Sequence, residues 1–145
     1  MLRGTRMAYD RNNIFARILR GEIPAHKVYE DEHTLAFMDV MPQAEGHALV
    51  IPKVQAENLF DLPPEALAAT ILTTQRVARA VKKAFDAPGI LIAQLNGAPA
   101  GQSVFHIHFH VVPRHEGFDL RLHARDMADH AVLAQHAARV RAALE

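Results

Sequence analysis

The chain contains no cysteine and no tryptophan, and aromatic residues make up only 6% of its 145 residues. Without cysteine there can be no disulfide, no thiol nucleophile and no zinc site ligated by thiolates. No apolar run approaches the roughly 20 residues that cross a bilayer, and the basic start "MLRGTRMAYD" lacks the apolar segment of a secretory signal. We therefore expect a small cytoplasmic domain with no membrane partner.

Net charge is also absent, because 16 lysines and arginines balance 16 aspartates and glutamates. A broad basic surface for nucleic acid is therefore not expected. Half of the residues are hydrophobic, which excludes disorder caused by low hydrophobicity. A chain of this length suits one domain with its own core.

Hydrophobic periodicity and turn residues predict three helices. A short helix is expected in "NNIFARILRGEIP", where Asn12 or Asn13 can cap an apolar stripe formed by Ile14, Phe15, Ile18 and Leu19. A long helix is expected in "DLPPEALAATILTTQRVARAVKKAFDAPG", with a core-facing stripe that includes Leu67, Ile71, Val77 and Val81. The alanine-rich tail predicts a third, C-terminal helix.

Five segments are strand candidates: "KVYED", "TLAFMDV", "HALVIPK", "ILIAQL", which is typical of a buried strand, and "VFHIHFHVV". Helices inserted between strands that neighbour each other in sequence favour an α+β fold with an antiparallel sheet over a doubly wound parallel sheet. We expect five strands, with the helices covering one face. Residues 1–12 are expected to be an N-terminal extension, residues 13–114 the domain, and residues 115–145 a loop and helix whose His123, His130 and His136 face solvent.

The stretch "NGAPAGQSVFHIHFHVVPR" places His106, His108 and His110 at every second position. Residues two apart on a strand share one face, so these three imidazoles should lie together. The opposite face would carry the core residues Phe105, Ile107, Phe109 and Val111.

Three interpretations of the histidine face compete. A solvated face is the simplest, although threonine, lysine or glutamate would be more usual there. A metal site is the second, and it would need a remote ligand such as His47 or Asp39. A phosphoryl or nucleotidyl transfer site is the third, because a neutral imidazole can attack phosphorus while a neighbouring one binds phosphate.

The loop "NGAPAGQS" before these histidines favours the third interpretation. Its small residues let backbone N–H groups approach an anion closely, which a metal site would not require. Ser103 adds a hydroxyl and Gln102 an amide at the entrance to the strand.

Three segments in the same order resemble the histidine triad family. "HIHFHVV" resembles its His-x-His-x-His signature, "QAEGHALVIPK" is similar to the stretch before its long helix, and "NIFARILRGEIPAHKVYEDEHTLAFMDVMPQ" is similar to the opening of its Hint branch. The longer tail resembles bacterial members. The resemblance implies a homodimer of α+β subunits that acts on purine nucleotides without a cofactor or metal; the cysteine-ligated zinc of some bacterial members is not expected here.

The resemblance also implies roles for particular residues. His108 matches the nucleophile, His110 the group that stabilises the phosphate oxygens, His106 an orienting residue, and Ser103 the serine beside the leaving group. The expected nucleotide-binding residues are Ile14, Phe15, Ile18, Asp39, Val40, Leu49, Asn96, Gly101, Gln102 and His47.

We therefore expect a hydrolase or nucleotidyl transferase that cleaves purine nucleoside 5′-monophosphoramidates or related phosphate esters through a nucleotidyl-histidine intermediate. Alternatives within enzymes are a Fhit-like dinucleoside polyphosphate hydrolase and nucleotidyl transfer to a sugar phosphate. A purine nucleotide-binding module without turnover and a mononuclear metal enzyme are alternatives of other classes.

Overall fold

The computed structural model describes residues 9–116 and 126–145. Five strands form one antiparallel sheet in the order β1-β2-β3-β5-β4. The α+β fold with a five-stranded antiparallel sheet is thus confirmed. In chain order the elements are α1 (Ile14–Leu19), β1 (Lys27–Glu30), β2 (Thr34–Met38), β3 (Ala48–Pro52), α2 (Pro64–Ala84), β4 (Gly89–Ala93), β5 (Phe109–Arg114) and α3 (His130–Ala143), with a one-turn 3-10 helix at Ala98–Ala100.

Helices cover both faces of the sheet. The α2 and α3 helices pack on the face that carries Ala36, Val50 and Val111. Phe15 and Ile18 of α1 pack on the opposite face, against a cluster that comprises Leu35, Phe37, Leu49 and Ile51. The expectation that helices cover one face is therefore wrong for α1. Every residue of β2 and β3 is buried, so both faces of these central strands need an apolar cover.

The α2 helix buries a narrower stripe than its apolar residues indicate. Val77 and Val81 are fully buried as expected, but Ile71 is 44% exposed and is wrongly placed in the predicted core. Thr70 and Thr74 are buried instead, one turn apart on the sheet side of the helix. Each hydroxyl donates a hydrogen bond to the carbonyl four residues earlier, which lets a polar side chain occupy the core-facing stripe.

The β4 strand is an edge strand, because it pairs only with β5. Its residues are half-buried or exposed, so the prediction of a buried strand is wrong. The other edge strand, β1, carries Lys27 and Glu30 and an irregular register, both of which discourage further pairing. The sequence of β4, "GILIA", has no charged residue.

Regular pairing begins later in the histidine stretch than its alternation predicts. The β5 strand starts at Phe109, opposite Val50, so the prediction of a strand from residue 104 is wrong for residues 104–108. The partner strand ends at Pro52, which has no backbone N–H to continue the ladder. The Ile107 N–H donates to the carbonyl of Ala56 instead. Ile107, Phe109 and Val111 nevertheless lie in the core as expected, whereas Phe105 is only half-buried.

The C-terminal helix is part of the core rather than a peripheral tail. Leu133, Ala137 and Val140 of α3 are buried beneath α2. His136 is also buried and packs edge-on against Phe85, with ring centroids 5.1 Å apart, so its predicted solvent exposure is wrong. His130 is exposed as expected, and His123 lies outside the described residues.

Within the described ranges, no helix combines the length and apolarity that crossing a membrane requires.

The turn before β3 is held by close packing at Gly46, which has φ +91°. A Cβ atom there would lie 2.6 Å from the ring of buried Phe85. We expect Gly46→Ala to lower the free energy of unfolding by about 3 kcal/mol, because steric overlap adds to an unfavourable φ. The measurement is urea denaturation followed by circular dichroism.

Gly21→Ala is the matched control. Gly21 has φ +78°, and nothing lies within 4 Å of the place that a Cβ atom would occupy. Only the backbone strain remains, so we expect a loss of about 1 kcal/mol. Equal losses in the two variants would contradict the role of the Phe85 contact.

Candidate active site

A cavity of about 390 Å³ lies on the face of the sheet that α1 covers. This volume falls within the range of small-molecule sites. Apolar side chains from α1, the following loop, β2 and β3 form most of its lining, and Asp39, Ser103, His108 and His110 supply polar groups. The cavity therefore offers an apolar surface beside a cluster of imidazole, hydroxyl and carboxylate groups.

His108 is held in one orientation by the backbone. Its Nδ1 lies 2.7 Å from the carbonyl oxygen of His106. A carbonyl can only accept, so Nδ1 carries the proton and donates, and the Nε2 of the neutral ring keeps its lone pair. Phe15 packs edge-on against the ring, with centroids 4.9 Å apart and an interplanar angle of 87°. His108 is thus a buried imidazole in the tautomer that carries its lone pair on Nε2.

A second chain of hydrogen bonds determines which ring nitrogen of His110 carries the proton. The backbone N–H of Gln43 donates to Nδ1 of His47, so the proton of neutral His47 lies on Nε2. That Nε2 lies 3.0 Å from Nδ1 of His110 and 3.4 Å from a carboxylate oxygen of Asp39. His110 Nδ1 therefore accepts, and the proton of neutral His110 is on Nε2. The rings of the two adjacent cavity histidines lie 5.0 Å apart between centroids and carry different groups on Nε2, a lone pair in His108 and an N–H in neutral His110.

His106 does not line the cavity but lies behind it, fully buried. Its Nε2 donates to the carbonyl of Pro52 at 2.9 Å. Burial lowers the pKa of His106 to about 4, against the weaker opposing effect of the Pro52 hydrogen bond. The ring is therefore neutral near pH 7 and serves as a fixed support for the peptide that orients His108.

The loop before the histidines is braced from within. The buried side chain of Gln102 accepts from the N–H of Gly97 and donates to the carbonyls of Glu57 and Val104. Asn96 accepts from the N–H of Leu59. The N–H groups of Ala100, Gly101 and Gln102 donate to carbonyls inside the loop. The expected backbone anion cradle therefore does not form from these three groups, and the loop instead presents Ser103 at the cavity.

The predicted site residues fall into three groups. Nine line the cavity: Ile14, Phe15, Ile18, Asp39, Val40, Leu49, Ser103, His108 and His110. Two stand behind it and contact lining residues: His47 and His106. Three are not among the lining residues and brace the loop: Asn96, Gly101 and Gln102.

Sequence reasoning missed further lining residues: Ile23, Pro24, Ala25, Phe37, Met38, Met41 and Val104. Ile23 to Ala25 follow α1, and they approach the cavity only because that helix folds back over the sheet. Phe37 carried a usable signal, since alternation along "TLAFM" places it on the same face as Leu35. It packs edge-on against Phe15, with centroids 5.4 Å apart.

Asp39, His47 and His110 could also hold a metal ion, because one ligand atom from each lies within 4.8 Å of the others. Tetrahedral zinc with bonds near 2.0–2.1 Å separates its ligand atoms by about 3.3 Å. The separations of 3.0 and 3.4 Å around His47 Nε2 suit that arrangement. These residues are also the remote ligands that the metal interpretation requires, so that interpretation has a defined place in the structure.

A second cavity of about 440 Å³ lies between α2, the β1–β2 turn and the end of the chain. Its polar lining includes Asp31, His33, Arg76 and Arg79. Arg76 stacks over Tyr29, 5.1 Å from the ring centroid. This cavity contains none of the three clustered histidines.

Both the sequence and the fold resemble those of known proteins. Residues 20–117 match the family model described as HIT domain. "Protein hit" of Bacillus subtilis is 42% identical over 120 residues, which cover 79% of this chain and 83% of that protein. Adenosine 5′-monophosphoramidase HNT1 of Saccharomyces cerevisiae is 42% identical over 103 residues, which cover 71% of this chain and 63% of that protein. Adenylylsulfatase HINT3 of Arabidopsis thaliana is 39% identical over 103 residues, which cover 71% of this chain and 52% of that protein.

Solved structures share the fold. A Hit-like protein from Bartonella henselae is 50% identical with a TM-score of 0.88, over 94% of this chain and 100% of that one. A zinc-bound histidine triad family protein from Mycobacterium smegmatis is 39% identical with a TM-score of 0.79, over 91% and 92%. The matched domain, the identities and the clustered histidines agree, and the chain belongs to the HIT domain family.

Proposed function

We propose that the chain hydrolyses purine nucleoside 5′-monophosphoramidates or related phosphate esters through a covalent nucleotidyl-histidine intermediate. The observation that carries this proposal is the hydrogen bond from His108 Nδ1 to the His106 carbonyl. It leaves the Nε2 lone pair as the reactive position of a neutral, cavity-lining imidazole.

In the first step, His108 Nε2 bonds to the α-phosphorus while the bond from phosphorus to the leaving nitrogen or oxygen breaks. The His110 Nε2–H is suited to donate to a phosphate oxygen, where negative charge increases. The Ser103 hydroxyl lies in the same cavity and gives its proton to the leaving group. In the second step, water bonds to phosphorus as the bond to His108 Nε2 breaks. One proton of that water returns to the Ser103 oxygen, and the products are the nucleoside monophosphate and neutral His108.

The apolar part of the cavity suits a purine base. Phe15 and Ile18 are buried on α1, and Ile14 and Leu49 also line the cavity. Asp39 follows β2, and one of its carboxylate oxygens accepts from the N–H of Met41. We assign Asp39 to the ribose hydroxyls, which are the donors that a carboxylate accepts from, and Val40 to packing beside the sugar.

The names of two relatives support the choice of substrate class. Adenosine 5′-monophosphoramidase and adenylylsulfatase both refer to an adenosine phosphate and differ in the group attached to it. Cleavage of dinucleoside polyphosphates, transfer to a sugar phosphate and binding without turnover are the competing outcomes, and the cytoplasmic location stays a prediction.

We further propose that the chain is a homodimer joined through β4. This edge strand offers unpaired backbone groups without the charges that protect β1. Its Ile92 is 42% exposed. A second copy related by a two-fold axis could pair with the same strand and cover this side chain.

His108→Ala is expected to abolish turnover of an adenosine 5′-monophosphoramidate, by at least about 10³-fold in kcat, because it removes the imidazole that is proposed to bond to phosphorus. Binding of adenosine monophosphate should change by less than about threefold. The measurement combines steady-state kinetics with mass spectrometry of the acid-quenched wild-type protein, which should carry an adenylyl group on His108.

His33→Ala is the control, since the His33 side chain is 64% exposed and lies outside the cavity. Retained turnover in His108→Ala would refute the nucleophile assignment. Binding without any turnover in the wild-type protein would favour the binding module.

Metal removal separates the triad mechanism from the metal interpretation. We expect less than about 0.1 equivalent of zinc per chain and unchanged kcat after chelation, because the proposed steps use imidazole and hydroxyl groups only. Elemental analysis and kinetics before and after dialysis against chelator test this. Stoichiometric zinc whose removal abolishes turnover would instead establish the site at Asp39, His47 and His110.

Ile92→Lys is expected to shift the dimer to monomer, because it places a charge in the proposed strand pairing. Light scattering after size-exclusion chromatography measures the mass directly. Val132→Lys is the control, since Val132 is similarly exposed, at 38%, but lies on α3. A wild-type monomer, or a dimer unaffected by Ile92→Lys, would exclude this interface.

A further inference from the structure

Tyr9 contacts the histidine cluster from the segment that precedes α1. Its hydroxyl is hydrogen-bonded to Nδ1 of His106, across 97 positions of sequence. The two rings meet edge-on, with centroids 5.7 Å apart and an interplanar angle of 74°. Tyr9 lies within the predicted N-terminal extension, and no sequence pattern connects it to the site.

The direction of this hydrogen bond follows from the other nitrogen of the same ring. His106 Nε2 donates to the carbonyl of Pro52, so Nδ1 of the neutral imidazole has the lone pair and the Tyr9 O–H donates. Burial lowers the pKa of His106 to about 4 and raises the pKa of Tyr9, so near pH 7 both groups keep these roles.

Both nitrogens of His106 are therefore fixed from opposite sides, by Tyr9 and by Pro52. The carbonyl of the same residue accepts from His108 Nδ1 at 2.7 Å. Residues 106–108 do not belong to a strand, so no β ladder holds this segment. The peptide between His106 and Ile107 is held on its N–H side by the hydrogen bond from Ile107 to the Ala56 carbonyl, and the anchored ring fixes His106, the residue that supplies its carbonyl.

The Asn13 side chain also acts on Tyr9, where it lowers the pKa of the hydroxyl and so partly offsets the larger raising effect of burial. Asn13 is the N-cap of α1 and accepts from the N–H of Ala16. The same helix carries Phe15, which packs against the His108 ring. Tyr9 thus contacts the His106 ring directly and acts on Asn13, the N-cap of α1.

We propose that Tyr9 is a positioning residue for His108, which it orients by locking the His106 imidazole and, with it, the carbonyl that holds Nδ1 of the nucleophile. The role of Tyr9 rests on the proposed function of His108. It assigns the N-terminal segment to the catalytic apparatus, although Tyr9 itself does not line the cavity.

Tyr9→Phe tests this assignment, because it removes the hydroxyl and keeps the ring. The unsatisfied Nδ1 of a buried imidazole should loosen the His106 peptide. With an adenosine 5′-monophosphoramidate we expect kcat to fall about tenfold and KM to change by less than about twofold, since the base and ribose contacts stay intact.

Tyr29→Phe is the matched control, because the chain has only these two tyrosines. The Tyr29 hydroxyl donates to Asp31 beside the second cavity, so its removal should leave kcat unchanged. Equal kcat values in the two variants would overturn the proposal.

Nitrogen-15 NMR of the histidine rings, recorded without substrate, tests the same inference independently of turnover. The wild-type protein and Tyr29→Phe should show His106 protonated on Nε2 and His108 on Nδ1. In Tyr9→Phe, we expect His108 to show a mixture of both tautomers. An unchanged His108 spectrum with only a lower Tm would reduce Tyr9 to a structural role and overturn the proposal. A wild-type protein with this spectrum but no turnover would refute the proposed function alone.

Discussion

The geometry of the site depends on one hydrogen bond, from His108 Nδ1 to the carbonyl of His106. A neutral imidazole can carry its proton on either ring nitrogen, and a backbone carbonyl that accepts from one nitrogen keeps the proton there. The Gln43 N–H fixes the proton of neutral His47 in a similar way, because it donates to Nδ1 and leaves the proton on Nε2. That Nε2 in turn faces Nδ1 of His110. Two imidazoles that differ in their hydrogen-bond partners thereby carry different groups on Nε2, a lone pair at His108 and an N–H at His110.

Much of the fold could be predicted because it follows from local pattern. Asn13 caps α1 as its side chain allows, and α2 begins at the prolines and ends before Gly89. The alternation of Ile107, Phe109 and Val111 correctly identifies the core side of the histidine stretch. The expected cavity residues from α1, β3 and the segment after β2 followed from resemblance, and all six of them line one cavity: Ile14, Phe15, Ile18, Asp39, Val40 and Leu49.

The remaining features depend on the order of strands and on long-range contacts, which local pattern does not contain. An isoleucine-rich segment such as β4 has the same appearance at an edge as in the centre of a sheet. The start of β5 depends on Pro52 in its partner strand. Gln102 combines the polarity expected of a ligand contact with a buried bracing role, and only the coordinates separate the two. Tyr9 reaches His106 through the path of the chain around the sheet.

The α1 helix has only six residues, yet it supplies Phe15 and Ile18 to the cavity. A helix of this length has little stability of its own and depends on its N-cap and on packing against the sheet. A ligand that inserts between Phe15 and the strands therefore becomes part of the apolar core that holds this helix. Occupancy of the cavity and ordering of α1 are linked equilibria, so each is expected to strengthen the other, and slower amide exchange in α1 would report a bound ligand.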